Sequence, residues 1–477
     1  MRDLVFALVA LAVLFVLLQI RRQPTLLRSH HARQNHWLPP RLRGRFVRVA
    51  SLRSSAASGL ASLPDGDGGV LLALANYYGD SSLFAFDPGH LPRRAGKKPT
   101  AREVQRVSTS AAHDWEALRL PDGTEQLVVA NSEATYSVVL QRNDTRLRHA
   151  LPPPRCFDTV GAQCADWKAA GECERNAHYM RRNCAAACGA CDDFSGPFVA
   201  VQKLETAGAS AVHHFTRRAE EEGAAPRHFL AVANYKAPEQ RGVAIYEWNT
   251  KVTMWERFRW LEVGGVSEFC DCETDDGRLL LGAAVWFTGS FETKSLLFEF
   301  DDESQQFRVV QTLATLGAHD LECFGAGGDG VAEQLLAVAN VRDGDSQLVE
   351  SVIYRRATAA EGGSSTGGEP MRFVEMQRLP TRGNHDIEPM RIGPHSLLAI
   401  ANQGDGVTCN SSVDILYYTF KRFAPLQSLD VGCATYAHSF VARGRLFLAV
   451  AVERVGDDAA DSATYNTESH VYEWVPD

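Results

Sequence analysis

The sequence predicts an all-β protein: a seven-bladed β-propeller with four strands in each blade. Three observations support this fold class. A short apolar stretch, LLAVAN at Leu335–Asn340, recurs seven times. Each copy lies in a unit of roughly 50 to 60 residues that contains four strand-like segments, as in repeats that form propeller blades. The 38 glycines and the scarcity of long stretches with helical periodicity agree with turn-rich β structure.

The LLAVAN stretch is predicted to be a strand that is buried on both faces. Its residues are apolar at successive positions, and its alternating alanines let neighbouring sheets approach closely. The other copies are Leu71–Asn76, Leu127–Asn131, Phe229–Asn234, Leu280–Val285, Leu397–Asn402 and Phe447–Val452. One such strand would be weak evidence, but seven at regular spacing indicate a repeat.

A second strand-like segment, clearest as FVEMQRL at Phe373, carries a glutamine at a fixed position in five units, and Arg259 holds that position in a sixth. The glutamines are Gln105, Gln202, Gln311, Gln377 and Gln427. The repeat region opens with such a segment at Phe46–Leu52 and closes with an aromatic strand at Val471–Val475. We expect these two segments to pair and seal the ring, because closure removes an exposed sheet edge.

A third segment begins six residues after the glutamine position and reads GAHDLECF at Gly317–Phe324 and GNHDIEPM at Gly383–Met390. Its acidic residues stand two apart and therefore share a strand face. The candidate metal ligands are Asp114, Glu116, Asp320, Glu322, Asp386 and Glu388, with Glu268 in the same column as the aspartates. Converging carboxylates favour a hard cation, so Ca²⁺ in the propeller channel is predicted. The alternative is that these acids bind backbone amides of neighbouring blades.

Three histidines directly precede these aspartates: His113, His319 and His385. Alternation along a strand predicts that they point to the opposite face and pack between blades rather than bind zinc. No nucleophile elbow, phosphate loop or H-E-x-x-H motif is present, so the sequence does not indicate an enzyme. A metal-assisted hydrolase that uses the axial carboxylates is the alternative.

The order of these segments, F-x-x-x-Q-x-L, G-A-x-D-x-E-x-F, L-A-V-A-N and I-Y-x-W, resembles the epilepsy-associated repeats, called EAR or EPTP repeats. The resemblance extends from about Phe46 to the end of the chain and is strongest between Phe198 and Asn402. It implies a seven-bladed extracellular propeller that binds a protein partner such as a cell-surface receptor or matrix component. A cation in the channel also fits the resemblance.

Six cysteines between Cys156 and Cys191 follow the pattern C-x7-C-x8-C-x10-C-x3-C-x2-C, inside the one unusually long repeat spacing. A segment this short needs disulfides to fold, and these form in an oxidising compartment. Zinc binding is the competing interpretation, although the segment lacks paired C-x2-C knuckles. Spacing alone allows fifteen pairings. The insert is expected to lie between two blades.

The insert resembles the ShKT domain, the fold of sea-anemone potassium-channel toxins, in its six cysteines and in Asp158, Trp167, Gly171 and Met180. The resemblance implies the pairs Cys156–Cys191, Cys164–Cys184 and Cys173–Cys188. The toxins block channels with a Lys-Tyr pair, but His178 and Tyr179 stand at that position here. A histidine does not replace an ammonium group in a cation pore, so we expect an interaction module and not a channel blocker.

Outside the insert, five cysteines remain. Cys270 or Cys272 is expected to pair with Cys323, and Cys409 with Cys433, which leaves one thiol. Asn143 and Asn410 begin glycosylation sequons, which agree with a lumenal or extracellular location.

The amino-terminal stretch Leu4–Ile20 is apolar apart from Gln19 and is predicted to be an uncleaved membrane helix or signal-anchor. The arginine-rich stretch after it would hold the following chain in the cytosol by the positive-inside rule, whereas the cysteines favour the lumen or exterior. We favour the cysteine evidence. Secretion and an organellar address are the alternatives.

Five regions follow: a membrane helix (1–20), a basic linker (21–45), the first propeller part (46–155), the insert (156–191) and the remaining propeller (192–477). The formal charge of −9 gives no reason to expect a nucleic-acid partner. A protein or glycan partner is therefore predicted, with membrane attachment through the amino-terminal helix.

Overall fold

The computed structural model of the chain describes residues 38–39, 42–89, 98–143, 163–176, 180, 184–189, 196–217, 225–273, 278–301, 303–327, 333–358, 361, 371–456 and 464–477. Within these ranges the strands form seven antiparallel sheets of four strands each. The predicted seven-bladed propeller is thereby confirmed.

From the axis outwards, the first four blades contain the following strands. Blade 1 has β2 (Ala57–Pro64), β3 (Val70–Asn76), β4 (Ser81–Asp87) and β5 (Thr100–Val107). Blade 2 has β6 (Ala112–Arg119), β7 (Glu125–Asn131), β8 (Tyr136–Arg142) and β9 (Phe198–Glu205). Blade 3 has β10 (Ala209–Arg217), β11 (Arg227–Asn234), β12 (Val243–Asn249) and β13 (Met254–Leu261). Blade 4 has β14 (Val266–Glu273), β15 (Leu279–Val285), β16 (Glu292–Asp301) and β17 (Gln306–Leu316).

The last three blades complete the ring. Blade 5 has β18 (Ala318–Ala326), β19 (Glu333–Asn340), β20 (Glu350–Arg356) and β21 (Phe373–Pro380). Blade 6 has β22 (Asn384–Ile392), β23 (His395–Asn402), β24 (Ser412–Thr419) and β25 (Arg422–Asp430). Blade 7 has β26 (Cys433–Ala442), β27 (Arg445–Arg454), β28 (Asn466–Pro476) and β1 (Gly44–Ser55).

Ring closure occurs in blade 7. Its outermost strand β1 comes from the start of the repeat region and pairs with β28 from the end, which confirms the predicted pairing. The ring of Phe46 also contacts the ring of Trp474 edge-on, with centroids 5.3 Å apart. Because the first and last strands of the repeat region, β1 and β28, pair in one sheet, neither end of the repeat region lies outside a blade.

The hydrophobic core lies between the blades. The LLAVAN strands are buried on both faces, and in β3 all seven residues are buried. One cluster joins blades 3 and 4 through Phe215, Phe229, Phe269 and Phe298. Corresponding clusters join blades 1 and 2, 2 and 3, 4 and 5, 5 and 6, and 7 and 1. A single blade would therefore leave both apolar faces in water, and the stacked ring removes them.

In five blades, the asparagine that ends LLAVAN forms side-chain hydrogen bonds to backbone groups at one end of the blade. Asn340 accepts the N–H of Leu316 at 3.0 Å and donates to the carbonyl of Glu350 at 2.8 Å. The same pair of bonds is made by Asn76, Asn131, Asn234 and Asn402. These side chains are buried, so the bonds satisfy backbone groups that water does not reach.

Two blades carry valine in place of this asparagine, and threonine hydroxyls take over part of its role. In blade 4 the Thr293 hydroxyl donates to the carbonyl of Val285 at 2.8 Å. In blade 7 the Thr467 hydroxyl donates to the carbonyl of Val452 at 2.9 Å. The degenerate repeats thus keep the fold by a different hydrogen bond.

Each repeated glutamine forms two hydrogen bonds with the backbone of the outermost strand of the next blade. We call this arrangement a clasp. Gln311 of blade 4 donates to the carbonyl of Phe373 at 2.7 Å and accepts the N–H of Phe373 at 2.8 Å. Four further clasps are Gln105 with Phe198, Gln202 with Trp255, Gln377 with Phe423 and Gln427 with Phe46. Between blades 3 and 4, Arg259 donates to the carbonyl of Gln305 instead.

The cysteine-rich insert lies inside blade 2, between β8 and β9, and not between two blades as expected. The reason is that the sequence repeat and the blade are out of phase. Each repeat begins with the outermost strand of the preceding blade, so a segment between two repeats interrupts one sheet. The described part of the insert contains helices α1 (Gln163–Ala169), α2 (Glu172–Arg175) and α3 (Ala185–Cys188).

Disulfides support both the insert and the ring. Within the insert Cys164 pairs with Cys184 and Cys173 with Cys188, which confirms two of the expected bonds. Cys164, Cys184 and Met180 form its small buried cluster. Cys156, Cys191, His178 and Tyr179 lie outside the described residues.

Two further disulfides join neighbouring blades. Cys272 pairs with Cys323 across blades 4 and 5, and Cys409 pairs with Cys433 across blades 6 and 7. Both pairings agree with the sequence expectation. Among the cysteines that the structure describes, Cys270 is the free thiol, and it is buried.

The described residues 38–39 and 42–45 belong with residues 475–477 to a unit distinct from Phe46–Trp474. In this unit the N–H of Leu42 donates to the carbonyl of Pro39, and the N–H of Asp477 donates to that of Arg43. The predicted membrane helix at residues 1–20 lies outside the described residues. In the part of the chain that is described, no helix is long and apolar enough to cross a membrane.

Candidate functional site

The innermost strands surround an axial channel, because each contacts the next around the ring and β26 contacts β2. Two columns of the repeat line this channel. The first holds Gly59, Asp114, Ala211, Glu268, Asp320, Asp386 and Tyr436, and the second holds Ala61, Glu116, His213, Cys270, Glu322, Glu388 and His438. The six candidate metal ligands therefore all belong to the channel-lining strands.

Four of these acids bind the backbone of the next blade. Val212 and Ile387 donate their N–H groups to Oδ2 of Asp114 and Asp320, at 3.0 and 2.9 Å. Ala437 donates to Oδ2 of Asp386, and Ser439 donates to Oε1 of Glu388, both at 2.8 Å. The alternative role that the sequence suggested, in which acids bridge blades through backbone amides, is confirmed for these four residues.

Hydroxyl groups one position before the first column complete the bridges. The residues are Ser58, Ser210, Ser267 and Thr435, which donate to the carbonyls of Ala112, Val266, Ala318 and Ala57. Each bond runs from one blade to the next, and the bond from Thr435 crosses from blade 7 to blade 1. The inner ring is thus fastened by side chains as well as by apolar packing.

Burial shifts the channel acids towards their protonated forms. It raises the pKa of Asp114 to about 6, those of Asp320 and Glu388 to about 7, and that of Glu116 to about 8. For Glu322, burial and then repulsion from Asp320 raise the pKa well above its ordinary value. Protonated carboxyl groups repel each other little, so bound protons can neutralise the channel.

One ion pair crosses the channel wall between blades 3 and 4. Nε2 of His213 lies 2.8 Å from Oδ1 of Asp271. Burial lowers the pKa of His213, but the hydrogen bond and charge of Asp271 outweigh it and the net direction is upward. Burial raises the pKa of Asp271, and His213 outweighs this effect so that the net direction is downward. Each group therefore favours the charged form of the other.

The three histidines do not pack between blades, so that sequence expectation is wrong. Rings from three blades meet at the axis: His113 and His319 have centroids 6.0 Å apart, and His319 and His385 have centroids 3.5 Å apart. The strand register shifts at each of these residues. A β-bulge redirects a side chain and breaks the simple alternation, so the imidazoles enter the channel together with the neighbouring aspartates. Burial lowers the pKa of all three.

A cavity of about 280 Å³, lined in part by His113 and His319, lies at one end of the channel, and we call it the mouth pocket. Aromatic side chains form much of its wall: Tyr77, Tyr235 and Trp286. The ring of Trp286 contacts that of His319 edge-on, with centroids 5.7 Å apart. At the rim Lys236 and Glu133 form an ion pair at 2.6 Å. The pocket thus combines aromatic surface with a small number of polar groups, as many ligand sites do.

Sequence reasoning missed the mouth pocket, although a signal was present. Tyr77, Ser132, Tyr235 and Trp286 each directly follow a LLAVAN strand. The backbone N–H of each donates to the carbonyl of the residue that precedes the inner strand of its own blade, so the four residues hold equivalent positions in their blades. The residue after the repeated strand is therefore the repeat position that lines the mouth pocket in these four blades.

No three His, Cys, Asp or Glu side chains in the described ranges are arranged as ligands of one metal ion. The reason is visible at Asp114, Asp320 and Asp386, whose oxygens accept backbone N–H groups of other blades. The side chains present do not fit the proposed Ca²⁺ ion, and we derive no role for it. Of the two sequon residues, Asn410 is exposed and Asn143 is half-buried.

Seven four-stranded blades with a disulfide-linked insert define the class: a repeat-built propeller scaffold. Residues 155–191 match the ShK domain-like family. The chain is 32% identical over 114 residues to the human protein "Thrombospondin-type laminin G domain and EAR repeat-containing protein", and 30% identical to that of Mus musculus. The aligned part covers 24% of this chain and 15% of each relative. The chain thus contains an ShK-like domain at residues 155–191, and over 114 residues it is similar to EAR repeat-containing proteins.

Among solved structures, the Dos1 propeller has a TM-score of 0.41 and 9% identity, covering 88% of this chain and 78% of that chain. BBS1N, solved in complex with ARL6DN, has a TM-score of 0.46 and 11% identity, covering 91% of this chain and 98% of that chain.

Proposed function

We propose that this chain is a membrane-anchored interaction protein of the cell surface or secretory lumen, and that its propeller binds a protein partner through the face that carries the mouth pocket. The observation that carries this proposal is the aromatic wall of the pocket, formed by Tyr77, Tyr235 and Trp286. Aromatic residues are enriched at the centres of protein interfaces, where they supply large contact areas at low entropic cost.

Exposed apolar side chains also lie at the same end of the blades. They lie in the loops after the second strand of four blades, at Tyr235, Leu348, Val407 and Val455. Such loops are variable between blades and are held by a rigid scaffold, which is typical of binding surfaces. An exposed surface with several large apolar groups favours association with another macromolecule.

The experiment is a binding screen of the full chain against arrayed cell-surface ectodomains and matrix proteins. Trp286→Ala and Tyr235→Ser are expected to weaken binding to the recovered partner at least tenfold. Phe420→Asn is the matched control, because Phe420 is 95% exposed and lies in the β24–β25 turn at the opposite end of the blades. An array without a partner, or a partner whose binding ignores both mouth variants, would contradict the proposal.

The proposed location rests on the cysteines and on the apolar Leu4–Ile20 stretch. Four disulfides in the described residues need an oxidising compartment. Protease protection of tagged termini in sealed microsomes tests this placement. A carboxyl-terminal tag protected from protease is expected, whereas its digestion would place the propeller in the cytosol.

The catalytic alternative has a direct test of its own. Because four of the channel acids already accept backbone N–H groups of the next blade, we assign the channel acids no catalytic role. Glu322→Gln and Asp320→Asn are expected to leave any hydrolase activity of the preparation unchanged. Loss of turnover with the fold intact would instead identify these acids as catalytic.

A further inference from the structure

The joint between blade 7 and blade 1, here called the seam, lacks the glutamine clasp. In the other joints a glutamine or arginine of one outermost strand binds the backbone of the next blade. At the seam Ala50 of β1 stands in the glutamine column and Ala101 of β5 stands in the partner column. The methyl group of Ala50 cannot form the paired hydrogen bonds; it packs with Ala101 against the apolar cluster between the two blades instead.

A cavity of about 550 Å³ lies at this joint and is larger than the mouth pocket. Arg53 and Glu468 reach it from blade 7, and Tyr78, Glu103 and Arg106 reach it from blade 1. Its volume falls in the range of about 300 to 1,000 Å³ that is typical of small-molecule sites. The cavity therefore lies between the two blades that lack the glutamine clasp, although other side-chain bonds such as Ser62–His438 join them.

Tyr78 provides a fixed aromatic platform in this cavity. Its ring is 51% exposed, yet it contacts the rings of Tyr77 and Tyr465 edge-on, each with centroids 5.3 Å apart. The N–H of Tyr78 also donates to the carbonyl of Ser55 across the seam. An exposed ring held on two sides loses little freedom when a ligand stacks on its face.

The remaining lining is polar and nearly balanced in charge. Arg106 donates to both carboxylate oxygens of Glu103, at 2.6 and 3.5 Å, so a ligand would use the remaining N–H groups and oxygen lone pairs of this pair. Two arginines against the carboxylates of Asp80, Glu103 and Glu468 disfavour an anionic ligand. Hydroxyl and amide groups of Ser55, Ser82 and Asn466 add short-range hydrogen-bonding capacity. An apolar ligand would leave these groups unsatisfied.

We propose that the seam cavity binds a neutral oligosaccharide, with one hexose ring stacked on Tyr78. A sugar ring presents C–H groups on its faces and hydroxyl groups around its edge. The faces match an exposed aromatic ring, and neighbouring hydroxyl groups match the paired donors and acceptors of Arg106 and Glu103. This site is separate from the mouth pocket and does not depend on a protein partner.

The site predicts a link between sugar binding and ring stability. A ligand that contacts blade 7 and blade 1 together binds the closed ring and not the unfolded chain. By mass action it raises the unfolding temperature as its concentration passes the dissociation constant. A sugar held on one blade alone through a flexible loop would leave this temperature nearly unchanged.

The test is a glycan array of neutral and acidic oligosaccharides probed with the purified full chain, followed by thermal unfolding with the best-bound free oligosaccharide. Binding to neutral members and a saturable rise in unfolding temperature are expected. Tyr78→Ala and Arg53→Ala should each weaken binding at least tenfold, whereas Tyr78→Trp should retain it because the ring face remains. Tyr235→Ser, which alters the mouth pocket alone, should bind sugar as the wild type does.

Three results would overturn the proposal. An array on which no sugar is bound, or on which only acidic sugars are bound, would exclude a neutral saccharide. Equal binding by wild type, Tyr78→Ala and Arg53→Ala would place any sugar elsewhere. Capture of a partner peptide that Tyr78→Ala and Arg53→Ala abolish, with the sugar array blank, would make the cavity a peptide site.

Discussion

The channel interior and the mouth pocket lie on the same axis but use their side chains in opposite ways. Asp320 inside the channel is 2% exposed and accepts the backbone N–H of Ile387 from the next blade. Tyr235 at the mouth is 43% exposed and contributes its ring to an open wall. Inner-strand polar groups therefore maintain the ring, whereas the residues that follow the second strands are available for ligands. A cluster of polar side chains at the axis is therefore not by itself a sign of a binding site.

The largest expected effect comes from removing a channel bridge. Asp320→Ala leaves the buried N–H of Ile387 without its acceptor and should cost about 1–3 kcal/mol in the free energy of unfolding. Asp320→Asn is the matched control, because its amide oxygen can accept the same N–H without a charge. Chemical denaturation measures both variants. Equal stability of Asp320→Ala and wild type would show that the channel acids are not structural.

The second prediction concerns pH, and its sign follows from the carboxyl groups. Burial raises the pKa of Glu116 from 4.5 to about 8, so the folded state holds a proton that the unfolded chain releases. The stability from this group is complete below about pH 4.5 and is lost as the pH rises to about 8. The unfolding temperature should fall over that interval by at least about 2 °C. Glu116→Gln should flatten this fall.

The histidines are expected to control the acid side of the same profile of stability against pH. Burial lowers the pKa of His385 from 6.5 to about 3, so the unfolded chain gains a proton first as the solution is acidified. The stability from this group is complete above pH 6.5 and is lost as the pH falls towards 3. His385→Asn should flatten only the acid limb. A profile that neither variant changes would contradict the assignment of these groups to a closed channel.

A smaller effect is expected at the mouth. Tyr235→Ser should change the free energy of unfolding by no more than about 0.5 kcal/mol, because the ring is largely exposed. Denaturation measured beside Asp320→Ala gives the contrast directly. A loss comparable to that of the channel variant would mean that the mouth residues serve the fold, and the proposed binding face would lose its main support.

The smallest effect is expected from calcium. The carboxylates of Asp114, Asp320 and Asp386 already accept backbone N–H groups, so millimolar Ca²⁺ or a chelator should shift the unfolding temperature by less than about 1 °C. A larger rise in wild type that Asp320→Asn abolishes would support the calcium ion predicted from the sequence. Metal analysis of the purified chain provides an independent measurement.

The sequence by itself determined the repeat, the number of blades and the ring closure. These features depend on patterns that recur at fixed spacing: the LLAVAN strands, the glutamines and the end segments at Phe46–Leu52 and Val471–Val475. The insert disulfides Cys164–Cys184 and Cys173–Cys188 followed from cysteine spacing together with the family resemblance. Such features are local or periodic, so they survive without coordinates.

Only the tertiary structure decided where side chains meet. A bulge at His113, His319 and His385 reversed the direction that strand alternation predicts. The one-strand offset between repeat and blade placed the insert inside blade 2. The mouth pocket depends on loops of four blades that are far apart in the chain. The physical reason is that convergence on an axis is set by the closed ring, and no single segment carries that information.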